Sequence, residues 1–260
     1  MCRSRVEEPM DIPRIFTIRE SGHRIHNPLT PDKLALLGRT LRLKAGMSAL
    51  DLGSGSGEML CTWARDHGLS GTGVDLCALF TEQARARAIE LGVADRVKFI
   101  HADAAGYVAN EADGPVDLAA CIGATWIGGG VAGTVELLAQ SMRPGGIMLI
   151  GEPYWRKEPP DQQSAEMCEA TSPDDFLVLP ALLEQFGKLR YDVIEMVLAN
   201  EDSWDRYEAA QWITMRSWLD AHPDDELAEQ VRSELNIAPA RYARFTRELV
   251  GWGVFALRQR

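Results

Sequence analysis

Three acidic residues, Asp51, Asp75 and Asp103, each stand at the end of a short apolar run, and three glycines crowd behind the first of them. The segment Asp51-Leu-Gly-Ser-Gly-Ser-Gly57 lets the backbone approach a ligand closely, and the carboxylates can accept from hydroxyl or amino groups. Gly53, Gly55 and Gly57 depart from the dinucleotide loop G-x-G-x-x-G, whose third glycine would fall at Glu58. A carboxylate there complements the dipole of a following helix but repels a pyrophosphate docked at that end. The G-K-[S/T] of a phosphate loop is absent. The loop therefore suits a ligand without phosphates.

Three further groups carry side chains suited to a second ligand. Glu20-Ser-Gly-His-Arg-Ile-His-Asn-Pro28 offers His23 and His26 as bases or ligands, with surface-loop roles equally open to them. Gly151-Glu-Pro-Tyr-Trp155 places Glu152, Tyr154 and Trp155 directly after an apolar run. Trp204, Tyr207, Trp212 and Met215 recur at helical spacing, either as an aromatic pocket or as packing, while Trp126 stands ready to wall a pocket.

These residues need elements to hold them, and the sequence alternates short apolar runs with helical segments, the pattern of a parallel sheet flanked by helices. Thr30-Pro31-Asp32 opens a helix that runs to about Leu43. Strands are expected at Ser48–Leu52, Gly71–Asp75, Val97–His101, Val116–Ile122, Ile147–Gly151, Tyr191–Leu198 and Gly253–Leu257. Helices are expected from about Gly57 to His67, and over Phe80–Leu91, Val131–Ser141 and Pro180–Phe186. Arg143–Gly146 reads as a turn and Glu152–Ser172 as a Pro-rich loop or short helical insert. Residues 200–249 hold two or three helices, more than a connection needs, and form a candidate lid.

With those elements in place, Asp51–Gly57 resembles motif I of the class I S-adenosylmethionine-dependent methyltransferases. Gly73-Val-Asp75 resembles the acidic end of their second strand, about where such a sheet places a ribose-binding carboxylate. His101-Ala-Asp103, Asp117–Ile122 and Met142–Ile150 resemble the third-strand, fourth-strand and fifth-strand motifs, in order, so the likeness covers about Thr30 to Phe186. The His-Arg-Ile-His-Asn-Pro and Gly-Glu-Pro-Tyr-Trp segments are similar to those of a bacterial small-molecule subgroup. The resemblance implies a Rossmann-like, doubly wound α/β fold: a seven-stranded, mostly parallel sheet, antiparallel in its last strand, with a helical lid. It implies one domain over 1–260, with residues 1–29 folded over the cofactor. S-adenosyl-L-methionine would be held by Asp51, Gly53, Ser54, Gly55 and Gly57, by Asp75 and Leu76, by Asp103 and Ala104, and by Cys121 and Ile122. His26, Glu152 and Tyr154 are the catalytic candidates; His23, Trp126, Trp155, Trp204 and Tyr207 are candidates for holding the acceptor.

The net charge of −11 disfavours nucleic acid and anionic membrane surfaces as partners. The N-terminal stretch Met1–Pro9 lacks the apolar core of a secretion signal and no run reaches membrane-span length; both point to the cytosol. The cysteines at 2, 61, 77, 121 and 168 form no C-x-x-C pair, so buried thiols are expected rather than a disulfide framework or a metal site. The leading expectation is a methyltransferase for a small-molecule acceptor. A non-catalytic cofactor-binding scaffold and an NAD-dependent oxidoreductase are the competing readings.

Overall fold

The computed structural model describes residues 12–109 and 114–260; Cys2, the stretch Met1–Pro9 and the start of the expected 1–29 segment lie outside them. Seven strands form one sheet in the order β3-β2-β1-β4-β5-β7-β6. They are β1 (Ser48–Leu52), β2 (Ser70–Asp75), β3 (Val97–His101), β4 (Val116–Ile122), β5 (Met142–Trp155), β6 (Tyr191–Leu198) and β7 (Val250–Gln259). The first five run parallel, and β7 is antiparallel to both β5 and β6.

The helices are α1 (Arg14–Glu20), α2 (Pro31–Thr40), α3 (Glu58–His67), α4 (Ala78–Glu90), α5 (Val131–Ala139), α6 (Gln162–Met167), α7 (Leu179–Lys188), α8 (Glu201–Ala221) and α9 (Ala228–Arg241). The Thr30 side chain caps α2 by accepting from the Lys33 amide, with Pro31 in the first turn.

Strand alternation divides the core into two layers. On one face Ala49, Leu118, Ala120 and Leu149 pack with α2, α3 and α4. On the other Leu50, Ala119, Cys121 and Met148 pack with α5 and α7. A third, small cluster joins Ile18 of α1 to Met215 and Leu219 of α8 and Val231 of α9.

Two strand boundaries differ from expectation. The Arg143–Gly146 segment lies within β5 as a bulge: Val116 pairs with Met142 and Leu118 with Ile147, with Gly145 at φ +78° in between. The loop expected from Glu152 begins later, because β5 pairs with β7 from Met148 to Trp155 and β7 runs longer than its apolar centre. Pro153 lies within this extension, where β4 has already ended opposite Gly151. One edge of β5 is therefore free of β4 there, where proline is tolerated in a sheet.

Between β6 and β7 come α8, α9 and a π-helical turn, Tyr242–Thr246, that follows Pro239 inside α9. Among the described residues no helix is long and apolar enough to cross a membrane.

Candidate active site

The glycine loop turns between β1 and α3 at the carboxyl end of the sheet. Gly53, Gly55 and Gly57 all have positive φ. At Gly55 a Cβ would lie 2.7 Å from Cδ2 of His26, so only glycine lets that ring rest on the loop. The loop amides are spent inside the protein: Gly53 and Ser54 donate to the Val74 carbonyl, Gly57 to Ser54, and Gly55 to Asp75 Oδ2 at 2.7 Å. A pyrophosphate cradle needs such amides free. Glu58, by contrast, is paired with Arg87 of α4 at 2.8 and 2.9 Å. Its compensated charge is a weaker bar to phosphate than the sequence implied, and the committed amides are the stronger one.

Asp75 also accepts from the Cys77 amide at 2.8 Å, so its carboxylate braces the loop while retaining lone pairs for a ligand. Burial raises its proton affinity, against the two amide hydrogen bonds. Asp51 is more enclosed. Burial, then the charge of Asp75, push its carboxyl up to about 7, and its Oδ1 is buried with no hydrogen-bond partner. An enclosed, unpartnered carboxylate beside an open glycine loop fits a cationic group on the ligand.

A cavity of about 110 Å³ lies against this loop, lined by Gly53, Gly55, Asp75, Leu76, Ala104 and Ile122, with Trp126 at its rim. Ile12 and Phe16 of the N-terminal segment and Phe80 of α4 close it from above. Phe80 was not foreseen; its ring lies 4.1 Å from that of His26. Asp103 lies outside it, exposed, and accepts from the Ala105 amide in its own turn. Cys121 also stands apart, because alternation along β4 turns it into the core while its neighbour Ile122 opens onto the cavity.

A second cavity, of about 290 Å³, lies between the sheet and the helices of 200–249. Trp204, Tyr207, Glu208 and Gln211 of α8 line it, with Arg19 on the α1 side and Trp252 on β7. The π-helical turn contributes Tyr242 and Thr246. His26 and Gly123 line both cavities and form the wall between them.

At that wall a buried network joins three elements. Glu20, fully buried, accepts from Tyr207 Oη at 3.0 Å and Gln211 Nε2 at 2.9 Å, and its Oε2 lies 3.1 Å from Nδ1 of His23 and 3.4 Å from Nδ1 of His26. Burial would raise this carboxyl, but its interactions with the two histidines hold it down to about 2. The other nitrogen of His26, Nε2, meets Ser56 Oγ at 2.8 Å. Nε2 is thus engaged, while Nδ1 faces Glu20 without a hydrogen bond, and the ring stands between the cavities. Neither Glu20 nor Gln211 was singled out from sequence. Each carries an ordinary polar side chain whose burial comes from α1 docking on α8.

The remaining candidates separate. Glu152 accepts from Thr125 Oγ1 at 2.7 Å, and burial raises its carboxyl to about 7. Glu152, Tyr154 and Trp155 line neither cavity. Tyr154 is buried against Gly251, where a Cβ would come within 2.2 Å of its ring. Trp155 donates to the Pro173 carbonyl at 2.8 Å and packs on Phe176. Extension of β5 to Trp155 turns both side chains into packing positions. On α8 the aromatic stripe splits: Trp204 and Tyr207 reach the large cavity, Trp212 packs on Tyr242, and Met215 joins the α1–α9 cluster.

Comparison with known proteins agrees with this geometry. Residues 49–146 match the model of a methyltransferase domain. The crystal structure of an S-adenosylmethionine-dependent methyltransferase from Geobacter sulfurreducens, in complex with S-adenosyl-L-homocysteine, superposes with a TM-score of 0.94 at 67% identity, covering 96% of this chain and 99% of that one. This chain belongs to the class I S-adenosylmethionine-dependent methyltransferases. The corresponding enzyme of Thiobacillus denitrificans, with the same ligand, gives a TM-score of 0.93 at 67% identity over 96% of this chain and all of that one. The uncharacterized protein YjhP of Escherichia coli K12 is 66% identical over 95% of this chain and 99% of its own length. The strand order, with β7 antiparallel, is that of the family.

Proposed function

We propose that this protein transfers a methyl group from S-adenosyl-L-methionine to a small molecule held in the cavity beneath the α8–α9 lid. The observation that carries the reading is the shared wall: the glycine-loop cavity and the lid cavity meet at His26 and Gly123. The relatives crystallised with S-adenosyl-L-homocysteine support the choice of cofactor.

The residues present fit that cofactor. Asp75 would accept from the ribose hydroxyls, Leu76, Ala104 and Ile122 would border the adenosine, and the glycines would admit the methionine chain. Asp51 would stay ionised opposite a cationic group. When bound, the cofactor supplies an electrophilic methyl on a sulfonium, so the protein has mainly to align an acceptor and exclude water. His26 fixes the wall between the ligands.

The spent loop amides count against nicotinamide chemistry. A cytosolic protein with no nucleic-acid or membrane partner agrees with the net charge of −11. Calorimetry with both S-adenosyl-L-methionine and S-adenosyl-L-homocysteine tests the cofactor assignment: micromolar binding of both is expected, and binding of NADH in their place would sink it.

A further inference from the structure

The lid cavity has one uncommitted charged group. Its cations are taken: Arg19 bonds Glu169 at 2.8 Å and borders Glu20, and Arg241 is shared between Glu169 and Glu234. Most of its donors are taken as well, the enclosed Trp204 indole N–H being without a partner. Tyr207 and Gln211 both serve Glu20, and Tyr242 donates to Asp205. Glu208 differs from all of these. Among the described residues it has neither a hydrogen bond nor an ion pair, and its oxygens are not among the enclosed unpartnered atoms. The side chain is nonetheless largely sheltered, so its carboxyl opens into the cavity. It lies on α8 one turn beyond Trp204, on the face that lines the cavity. Trp252, Phe176 and Tyr242 line the same space.

An aromatic cavity with one free carboxylate, all its guanidinium groups already neutralised, has the chemistry that retains an ammonium group. The carboxylate attracts the charge and accepts its hydrogens, and the ring faces add cation–π attraction. The same carboxylate repels an anionic ligand, and an alcohol supplies one hydrogen and no charge. Resting on the reading of this cavity as the acceptor site, we propose that the acceptor class is a small apolar or aromatic amine anchored through its nitrogen on Glu208. Burial, then the charge of Glu169, raise the Glu208 carboxyl to about 7, with Arg19 and Arg241 opposing and Glu20 adding to the rise. Anchoring should accordingly weaken as the pH falls below that value.

Three matched probes test this: 2-phenylethylamine, 2-phenylethanol and 3-phenylpropanoate, titrated into the protein saturated with S-adenosyl-L-homocysteine at pH 8. The amine is expected to bind about tenfold more tightly than either other probe, a difference of about 1.4 kcal/mol. Its affinity should fall between pH 8 and pH 6. Glu208→Gln should lower amine affinity about tenfold and leave the affinity for 2-phenylethanol and S-adenosyl-L-homocysteine unchanged. If none of the probes binds, if the alcohol or carboxylate binds as well as the amine, or if Glu208→Gln has no effect, the anchor is wrong. If the variant fails to fold, the probe order and pH profile of the unaltered protein decide alone. Failure of the protein to bind S-adenosyl-L-homocysteine would overturn the functional reading itself; binding of that ligand without selection for the amine overturns only this proposal.

Discussion

Asp51→Asn separates the function of the buried carboxylate from its cost to the fold. The carboxyl moves from an ordinary 3.8 to about 7 in the folded protein, through burial and then the charge of Asp75. A group whose proton affinity rises on folding contributes stability that is present in acid and lost as the pH climbs through the folded value. At about 1.4 kcal/mol per tenfold change in proton affinity, ionised Asp51 costs about 4 kcal/mol well above pH 7 and about 1.6 kcal/mol at pH 5. Asparagine keeps the shape and carries no charge. Its own unpaired amide adds a penalty that does not vary with pH. The stability of Asp51→Asn relative to the parent should therefore improve by about 2–3 kcal/mol between pH 5 and pH 8. Glu152 and Glu208 titrate in both proteins and cancel in the difference. Urea unfolding at the two pH values, with slopes checked for equality, measures it. The same variant should bind S-adenosyl-L-methionine more weakly. A stability difference that stays constant or shrinks with rising pH would refute the buried-charge argument.

Other perturbations give equally definite outcomes. Asp75→Ala removes the acceptor of the Gly55 and Cys77 amides; affinity for S-adenosyl-L-homocysteine should fall by about 1–3 kcal/mol in calorimetry, and unchanged affinity would remove Asp75 from the cofactor site. Gly55→Ala must hold φ near +51° and push against His26, so we expect about 1–3 kcal/mol of destabilisation together with weaker cofactor binding; a neutral result in urea unfolding would contradict the packing described. Glu20→Gln removes a carboxylate held down to about 2 that accepts from Tyr207 and Gln211, and should destabilise the fold by about 3 kcal/mol at neutral pH. Because a depressed carboxyl contributes stability above its unfolded value of 4.5 that is lost on acidification, the deficit of Glu20→Gln should narrow as pH falls from about 5 towards 2.

What the sequence disclosed, and what it concealed, follows the range of the forces involved. The glycine loop was legible because positive φ and a strand–turn–helix order are local demands, and they leave glycines at fixed places. Asp75 was legible for the same reason: a carboxylate at a strand end, two residues before the amide it caps. Asp103 followed the same rule, yet its carboxylate serves its own turn and stays exposed. Tyr154 and Trp155 looked like cavity residues because the apolar run of β5 stops at Gly151 and a polar, Pro-rich stretch follows. The length of β7, an antiparallel partner a hundred residues away, decides otherwise. Glu20, Gln211 and Glu208 left no local mark at all. In sequence they are charged or polar positions on ordinary helices, and only the docking of α1 and α8 turns them inward.

The most direct test of the proposed activity is transfer of labelled methyl from S-adenosyl-L-methionine into a cell extract divided into small molecules and macromolecules. Label is expected in the small-molecule fraction, dependent on the protein and lost with Asp75→Ala. Label confined to protein or nucleic acid, or no transfer by a protein that binds the cofactor, would contradict it.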